Sequence, residues 1–259
     1  MRFIAASWLG VLLASSLAAV DRDELHWRSH LAPGLTLEIK GVNGDVRAEA
    51  ASGGQVEVFA TKRGRYSEPA DVDIKVVEHD GGITICAVYP ARGLQWQNEC
   101  QPGSAGGMSL VNNDVRVDFH VRVPKQVRFV GRTVNGAVEA ESLGSAVEAY
   151  TVNGGIRIST ASFATARTVN GSIRARLGST DWRRPLDFHT VNGGIAVELP
   201  RNASTDVLAQ TVNGRVHTDF SLNVRSRLFG KRLSGTIGRG GRELTLRTVN
   251  GGIEIHRAG

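Results

Sequence analysis

Thr133-Val134-Asn135-Gly136 returns as Thr151-Val152-Asn153-Gly154, Thr168-Val169-Asn170-Gly171, Thr190-Val191-Asn192-Gly193, Thr211-Val212-Asn213-Gly214 and Thr248-Val249-Asn250-Gly251, the starts being 18, 17, 22, 21 and 37 residues apart. Recurrence at a period near about 20 residues marks a stacked array, in which each copy buries its apolar face only against its neighbours. The 37-residue gap holds two coils if Arg232-Leu233-Ser234-Gly235-Thr236-Ile237 continues the frame, and Gly41-Val42-Asn43-Gly44 is an earlier copy. Asp80-Gly81-Gly82-Ile83 and Val111-Asn112-Asn113-Asp114-Val115 look like weaker ones.

Alignment on the Asn exposes a two-residue rhythm. Four places before the Thr stand Leu37, Phe129, Val147, Ala164, Leu186, Val207, Leu228 and Leu244, and two places before it Ile39, Gly131, Ala149, Ala166, Phe188, Ala209, Gly230 and Leu246. Three places after the Asn comes Val46, Val138, Ile156, Ile173, Ile195, Val216, Ile237 or Ile253. Residues two apart on a strand share a face, so each coil is strand, Asn-Gly corner, strand. The expected fold is all-β, a single-stranded parallel β-helix or β-solenoid with coils of about 16–22 residues and an irregular N-terminal part.

The same parity places Thr and Asn inside and the intervening Val outside. Stacked coils lie about 4.8 Å apart, so Asn43, Asn135, Asn153, Asn170, Asn192, Asn213 and Asn250 can form an internal amide ladder, each link contributing on the order of 1 kcal/mol. Thr133 to Thr248 are expected to form a hydroxyl ladder beside it, and the Gly after each Asn to supply a positive φ at the corner.

Composition agrees with many tight turns: Gly is 31 of 259, about 12%, against an average near ~7%. An apolar fraction of 41% argues against intrinsic disorder, and a net charge of +6 favours contact with acidic surfaces. Met1-Arg2 followed by the apolar run 3–17, with Ser16 and Ala18 at the −3 and −1 sites of a cut before Ala19, has the order of a cleavable secretory signal spanning 1–18. The alternative, an uncleaved anchor, would need roughly 20 apolar residues. No later segment is long and apolar enough to span, so an exported chain is expected, periplasmic or extracellular at the cell surface. Cys86 and Cys100 are the only thiols, and in an oxidising compartment they read first as a disulfide, the alternatives being two buried thiols or a mobile loop. The domain division expected is the signal 1–18, irregular N-terminal β coils or cap over 19–130, and the regular repeat over 131–259.

The in-phase T-V-N-G-x-I coils, preceded by Asn113-Asp114-Val115-Arg116-Val117-Asp118-Phe119 and a strand ending at Val123-Pro124, resemble the bacterial "putative adhesin" family, a domain of unknown function with a β-solenoid fold. The resemblance runs over roughly residues 35–256. It implies fold and export, and it brings no catalytic residues to transfer. Ser234 departs from it by breaking the Asn column.

On the outward parity just before each Thr stand Lys40, Arg132, Tyr150, Arg167, His189, Gln210, Lys231 and Arg247. Like charges about 5 Å apart in water repel by roughly 0.8 kcal/mol per pair, which disfavours a basic row unless something anionic meets it; Glu38, Glu148 and Asp187, two places earlier, are close enough to pair with the cations. With the outward valines of the repeat this row forms a candidate strip for an acidic glycan, lipopolysaccharide or an envelope protein. No nucleic-acid module is apparent. Trp182, Arg183 and Arg184 in one loop could stack on sugars or bind anions, and Trp96 lies in the cysteine loop.

A carbohydrate-active enzyme, lyase or glycosidase, is the alternative, because parallel β-helices host such activities. A glycosidase needs two carboxyl groups roughly 5–9.5 Å apart. The column after the corner Ile or Val reads Arg47, Glu139, Arg157, Arg174, Ala196, His217, Gly238 and Glu254, with no adjacent acidic pair, and Asp181 with Asp187, or His217 with Asp219, offers only a weak dyad. No metal-ligand spacing, nucleophile elbow or phosphate loop occurs, so neither metal nor cofactor is expected and no catalytic residue is assigned.

Overall fold

Each T-V-N-G copy is a corner joining an entry strand in one sheet to an exit strand in another. The computed structural model describes residues 23–91, 98–103, 110–228 and 232–259; the expected signal, Trp96 and Lys231 lie outside them. Sheet A has ten strands and sheet B eleven, and together they form an all-β solenoid whose successive coils pair in parallel.

Naming each coil by its asparagine, the Asn43 coil enters on Thr36–Lys40 and exits on Val46–Ala50, and the Asn135 coil on Arg128–Arg132 and Val138–Leu143. The Asn153, Asn170 and Asn192 coils follow on Val147–Tyr150 and Ile156–Thr160, Ala164–Arg167 and Ile173–Leu177, and Leu186–His189 and Ile195–Leu199. The stack then departs from chain order. Glu243–Asn250 and Ile253–Arg257 lie directly on the Asn192 coil, and Thr205–Asn213 with Val216–Thr218 lies outside them. Arg232–Ile237 is therefore not a coil in frame. It runs antiparallel on Thr205–Asn213 and is followed outward by Asn223–Leu228.

At the other end Gly82–Val88 and Arg116–Val123 pair in parallel with the Asn43 coil, and antiparallel strands Asp73–His79, Gln55–Arg63 and Glu24–His30 follow outward. The two weaker motif copies are out of frame: Ile83 pairs with Leu37, an entry position, and Asn113 folds back to accept from the Val115 amide (2.9 Å). Antiparallel strands cover the coil edges of both sheets at this end and of sheet B at the other, edges that would otherwise invite pairing with another chain, whereas sheet A ends on the parallel strand Val216–Thr218.

Both inward columns are buried. Leu37, Phe129, Leu186, Phe188, Leu244 and Leu246 from sheet B meet Val46, Val138, Ile173, Ile195, Ile253 and Ile255 from sheet A, all at 0–1% exposure. The corner itself breaks the strand parity. The amides of Val134 and Asn135 both donate to the Val42 carbonyl (3.1 and 2.7 Å), and the arrangement recurs at Val152/Asn153, Val169/Asn170 and Val191/Asn192. Two residues opposite one is the geometry of a bulge, which swings the second residue to the outside.

Three expectations change with it. The asparagines do form a ladder, each Nδ2 donating to the next Oδ1 at 2.8 Å from Asn135 to Asn43 and so on through Asn153, Asn170, Asn192, Asn250 and Asn213. The ladder runs along the outer corner, where its members from Asn135 onward are exposed, and not inside. The buried threonines do not bond to one another; each Oγ1 donates to the glycine carbonyl of the neighbouring coil, from Thr133 to Gly44 (2.9 Å) through Thr190 to Gly171 (2.8 Å) and Thr248 to Gly193 (2.8 Å). Finally, positive φ is confined to Gly44 (129°) and Gly193 (159°) within the column. What demands glycine is proximity: a Cβ on Gly136, Gly154, Gly171, Gly193 or Gly251 would run into the carbonyl of the glycine one coil below.

At the base of the ladder Tyr89, 2% exposed, donates to the Val115 carbonyl (2.8 Å) and reaches the Asn43 carbonyl (3.4 Å), and its burial pushes the phenol up to about 12.

Gly171→Ala should lower stability by about 1–3 kcal/mol through overpacking, and Thr190→Val by a similar ~1–3 through the carbonyl it leaves unpaired. Gly155→Ala, whose Cβ would meet only Ser172 O at 3.5 Å, should lie within about 0.5. Thermal denaturation of the three variants checks this; equal midpoints for Gly171→Ala and Gly155→Ala would contradict the close-approach argument.

Candidate functional site

The outward row of sheet B is continuous in register, running Lys40, Arg132, Tyr150, Arg167, His189, Arg247 and Gln210. Parallel strands with a short fixed rise set these side chains about 4.8 Å apart. Opposite Gln210, across the antiparallel pairing, stands Arg232.

The row is not uniformly available. Lys40 is 7% exposed and donates to the carbonyls of Gln101 (2.8 Å) and Gly103 (3.1 Å). That segment is held over it by the Cys86–Cys100 disulfide, with 5.6 Å between the Cα atoms. Burial pulls the Lys40 ammonium below the ordinary lysine range, opposed by Glu38 and reinforced by Arg132. Glu38, itself buried, takes Arg132 Nε (2.7 Å), the Gly103 amide (2.7 Å) and the Thr84 hydroxyl (3.1 Å). Lys40 and Glu38 therefore belong to an internal network, and Lys40 is removed from the surface strip. Arg132 is further covered by stacking on the Tyr150 ring at 4.1 Å.

Beyond Tyr150 the row opens. Arg167 is exposed and pairs with Asp187 (2.7 Å), His189 is exposed, and Arg247 is exposed with no carboxylate partner among the described residues. The valine row behaves likewise: Val42 is buried at 3% and Val134 packs on the core, whereas Val152, Val169 and Val212 are 37%, 39% and 48% exposed.

The arginine and tryptophan loop separates on folding. Trp182 is 3% exposed and part of the core, and it also lines the recess beside Arg183. Arg184 pairs with Glu148, which Tyr150 also contacts through its hydroxyl (2.8 Å). Burial pushes the Glu148 carboxyl upward, but the bonds from Arg184 and Tyr150 overcome it and hold it below the usual range. Arg183 is exposed and lines a recess of about 570 Å³ with Asp181, Ser204 and Arg242.

Residues 132–256 match the family model of Toastrack DUF4097. The repeat stretch belongs to the Toastrack family. The Toastrack match begins at the Asn135 coil, whereas the T-V-N-G resemblance reaches back to the Asn43 coil, which pairs with it in the same sheets. Among solved structures the chain is similar to a "putative cell adhesion protein" from Clostridium sporogenes, at 14% identity and a TM-score of 0.46 over 91% of this chain and 100% of that one. It is also similar to a "putative adhesin" from Bacteroides fragilis, at 8% identity and a TM-score of 0.33 over 91% and 97%. No curated protein matches it.

At the last exit strands of the Toastrack stretch, His256 is held between two carboxylates, Nδ1 against Asp219 Oδ2 and Nε2 against Glu254 Oε2, both at 3.2 Å. His217 Nε2 reaches the other oxygen of Asp219 at 3.4 Å. Sequence spacing paired His217 with Asp219 but missed His256 and Glu254, because the strand exchange that brings the Asn250 coil inside the Asn213 coil is not visible in chain order. The bond to Glu254 raises the His256 imidazolium above its ordinary 6.5, burial opposes it, and the bond to Asp219 adds to the rise. The Arg257 amide, then His256, lowers the Asp219 carboxyl.

With His256 raised, its contribution to stability is present below about 6.5 and lost as pH rises through the folded value. An NMR titration should place the His256 midpoint above 6.5, and Glu254→Gln should move it back; a wild-type midpoint at or below 6.5 would contradict the bridge.

Proposed function

We propose that the protein is an exported, non-catalytic β-solenoid that serves as an adhesin or cell-envelope binding scaffold, holding an acidic polymer against the outer face of sheet B. The observation that carries this reading is the exposed run of Arg167, His189 and Arg247 in adjacent register, beside the exposed Val152, Val169 and Val212. A flat row of donors at the repeat of a parallel sheet suits an extended ligand whose charges also repeat. The valines let apolar parts of that ligand shed water.

Arg132 and Lys40 extend the row in register but are committed to Glu38 and the disulfide-bound segment, so the proposed contact runs from Tyr150 to Arg247. Asp219 and Glu254 are bridged by His256, and Asp187 is held by Arg167. Neither arrangement resembles an acid and a nucleophile flanking an empty cleft, which supports a binding role over hydrolysis.

The test is retention of the mature chain on immobilised acidic glycan at stepped salt, with product analysis of the polymer. Retention should fall as salt rises. Arg167→Glu with Arg247→Glu should weaken binding at least about tenfold, two surface charge contacts reversed at roughly ~1 kcal/mol each, with the circular dichroism spectrum unchanged. Undiminished retention of the double variant would overturn the strip, and shortened polymer would overturn the non-catalytic reading.

A further inference from the structure

We propose that the outer face of sheet A carries a separate subsite for a carboxylate-bearing sugar unit, its carboxylate held by Arg157 and Arg174 and its hydroxyls by Glu254. The inference concerns the opposite face from the sheet B strip and does not depend on it.

Arginines on this face generally find carboxylates. Arg47 reaches Glu139 (3.3 Å), Arg116 reaches Asp118 and Asp45 (both 2.9 Å), Arg122 reaches Glu49 and Glu57 (3.1 and 3.0 Å), and Arg176 reaches Glu198 (3.0 Å). Arg157 and Arg174 depart from this, as does Arg63 at the end of Gln55–Arg63, but only Arg157 and Arg174 are cross-strand neighbours of one another. They sit side by side in register on Ile156–Thr160 and Ile173–Leu177, both exposed, and among the described residues neither has a hydrogen-bond or ion-pair partner. The carboxylate next to Arg157 in register, Glu139, is already taken by Arg47. Two adjacent guanidinium groups without a counter-charge repel, and an anionic ligand relieves that repulsion.

Beside the pair the face is hollow. The next residue in the row is Ala196, after which comes Glu254, so small side chains separate a cationic wall from an acidic one. The depression holds about 430 Å³ and is lined by Arg157, Ser159, Arg174, Ala196, Glu254 and His256, together with the mutually paired Arg176 and Glu198. A smaller recess of about 190 Å³ continues from it past Ser172, Gly194 and Gly252. Arg174 and Glu254 are two strand spacings apart, about 9.6 Å between backbones.

The two walls together define the ligand. Paired guanidinium forks match a carboxylate bidentately, and a carboxylate accepts sugar hydroxyls. Glu254 spends Oε2 on His256 and keeps Oε1 for such a bond. Inorganic phosphate would suit the arginines but bring its remaining charge toward Glu254, and a neutral sugar would leave the arginines unmatched. A uronate, acidic at one edge and hydroxylated at the other, answers both.

The test is titration of the full mature chain with an oligogalacturonate, followed by calorimetry and by backbone NMR shifts, against its methyl ester and inorganic phosphate. The oligogalacturonate should bind, with shifts centred on Ser172, Arg174 and Ala196. Arg157→Gln with Arg174→Gln should weaken it at least tenfold with an unchanged Tm, since both side chains are exposed, and Glu254→Gln should weaken it severalfold. The Arg167→Glu/Arg247→Glu protein should bind it as wild type does, which separates this subsite from the sheet B strip. Absence of binding, equal affinity for the methyl ester or phosphate, or undiminished binding by the Arg157/Arg174 variant would overturn the proposal.

Discussion

Glycine carbonyl packed over glycine at each corner is the constraint on which the rest of the stack depends. Because a Cβ at Gly154 or Gly171 would enter the carbonyl one coil below, only glycine allows consecutive corners to approach to strand distance. The other members of T-V-N-G serve that contact. The Thr hydroxyl takes the glycine carbonyl from inside, the Asn amide links to its neighbour outside, and the Val and Asn amides share one carbonyl to make the turn. Four residue types thus satisfy the backbone of a corner that a two-sheet solenoid would otherwise leave unpaired.

Once the corners are fixed, both sheets follow. The strands leaving each corner are held in register, so each outward row becomes a line of side chains at one spacing, whether Arg167, His189 and Arg247 on sheet B or Arg157, Arg174 and Ala196 on sheet A. Charge on such a line is either compensated by a neighbouring row, as by Glu38 and Asp187, or left for a partner. Surface chemistry here is a consequence of register.

Much of this was legible in the chain. The in-phase repeats and alternating apolar columns suffice for an all-β solenoid with corners at the Asn residues, and the family match bears out the T-V-N-G resemblance over 132–256. Strand parity ends at the Val before each Asn, because the bulge there is a backbone event that alternation does not reveal. Chain order likewise hides the exchange of the last two coils, and with it the meeting of Glu254, His256 and Asp219. Trp182 reads as a loop residue beside two arginines, yet the core claims it. Lys40 reads as outward, and it is, but a segment tied down by Cys100 lies across it. The pairing of Arg157 with Arg174 was visible in the aligned column, although its lack of a partner required the knowledge that Glu139 turns to Arg47.

The most direct test of the corner account is hydrogen exchange at the asparagines by NMR, comparing backbone and side-chain amides. The account predicts that the backbone N–H groups of Asn135, Asn153, Asn170 and Asn192, together with one carboxamide proton of each, exchange far more slowly than those of Asn202, an exposed asparagine outside the ladder. Exchange of the ladder amides at the rate of Asn202 would contradict it.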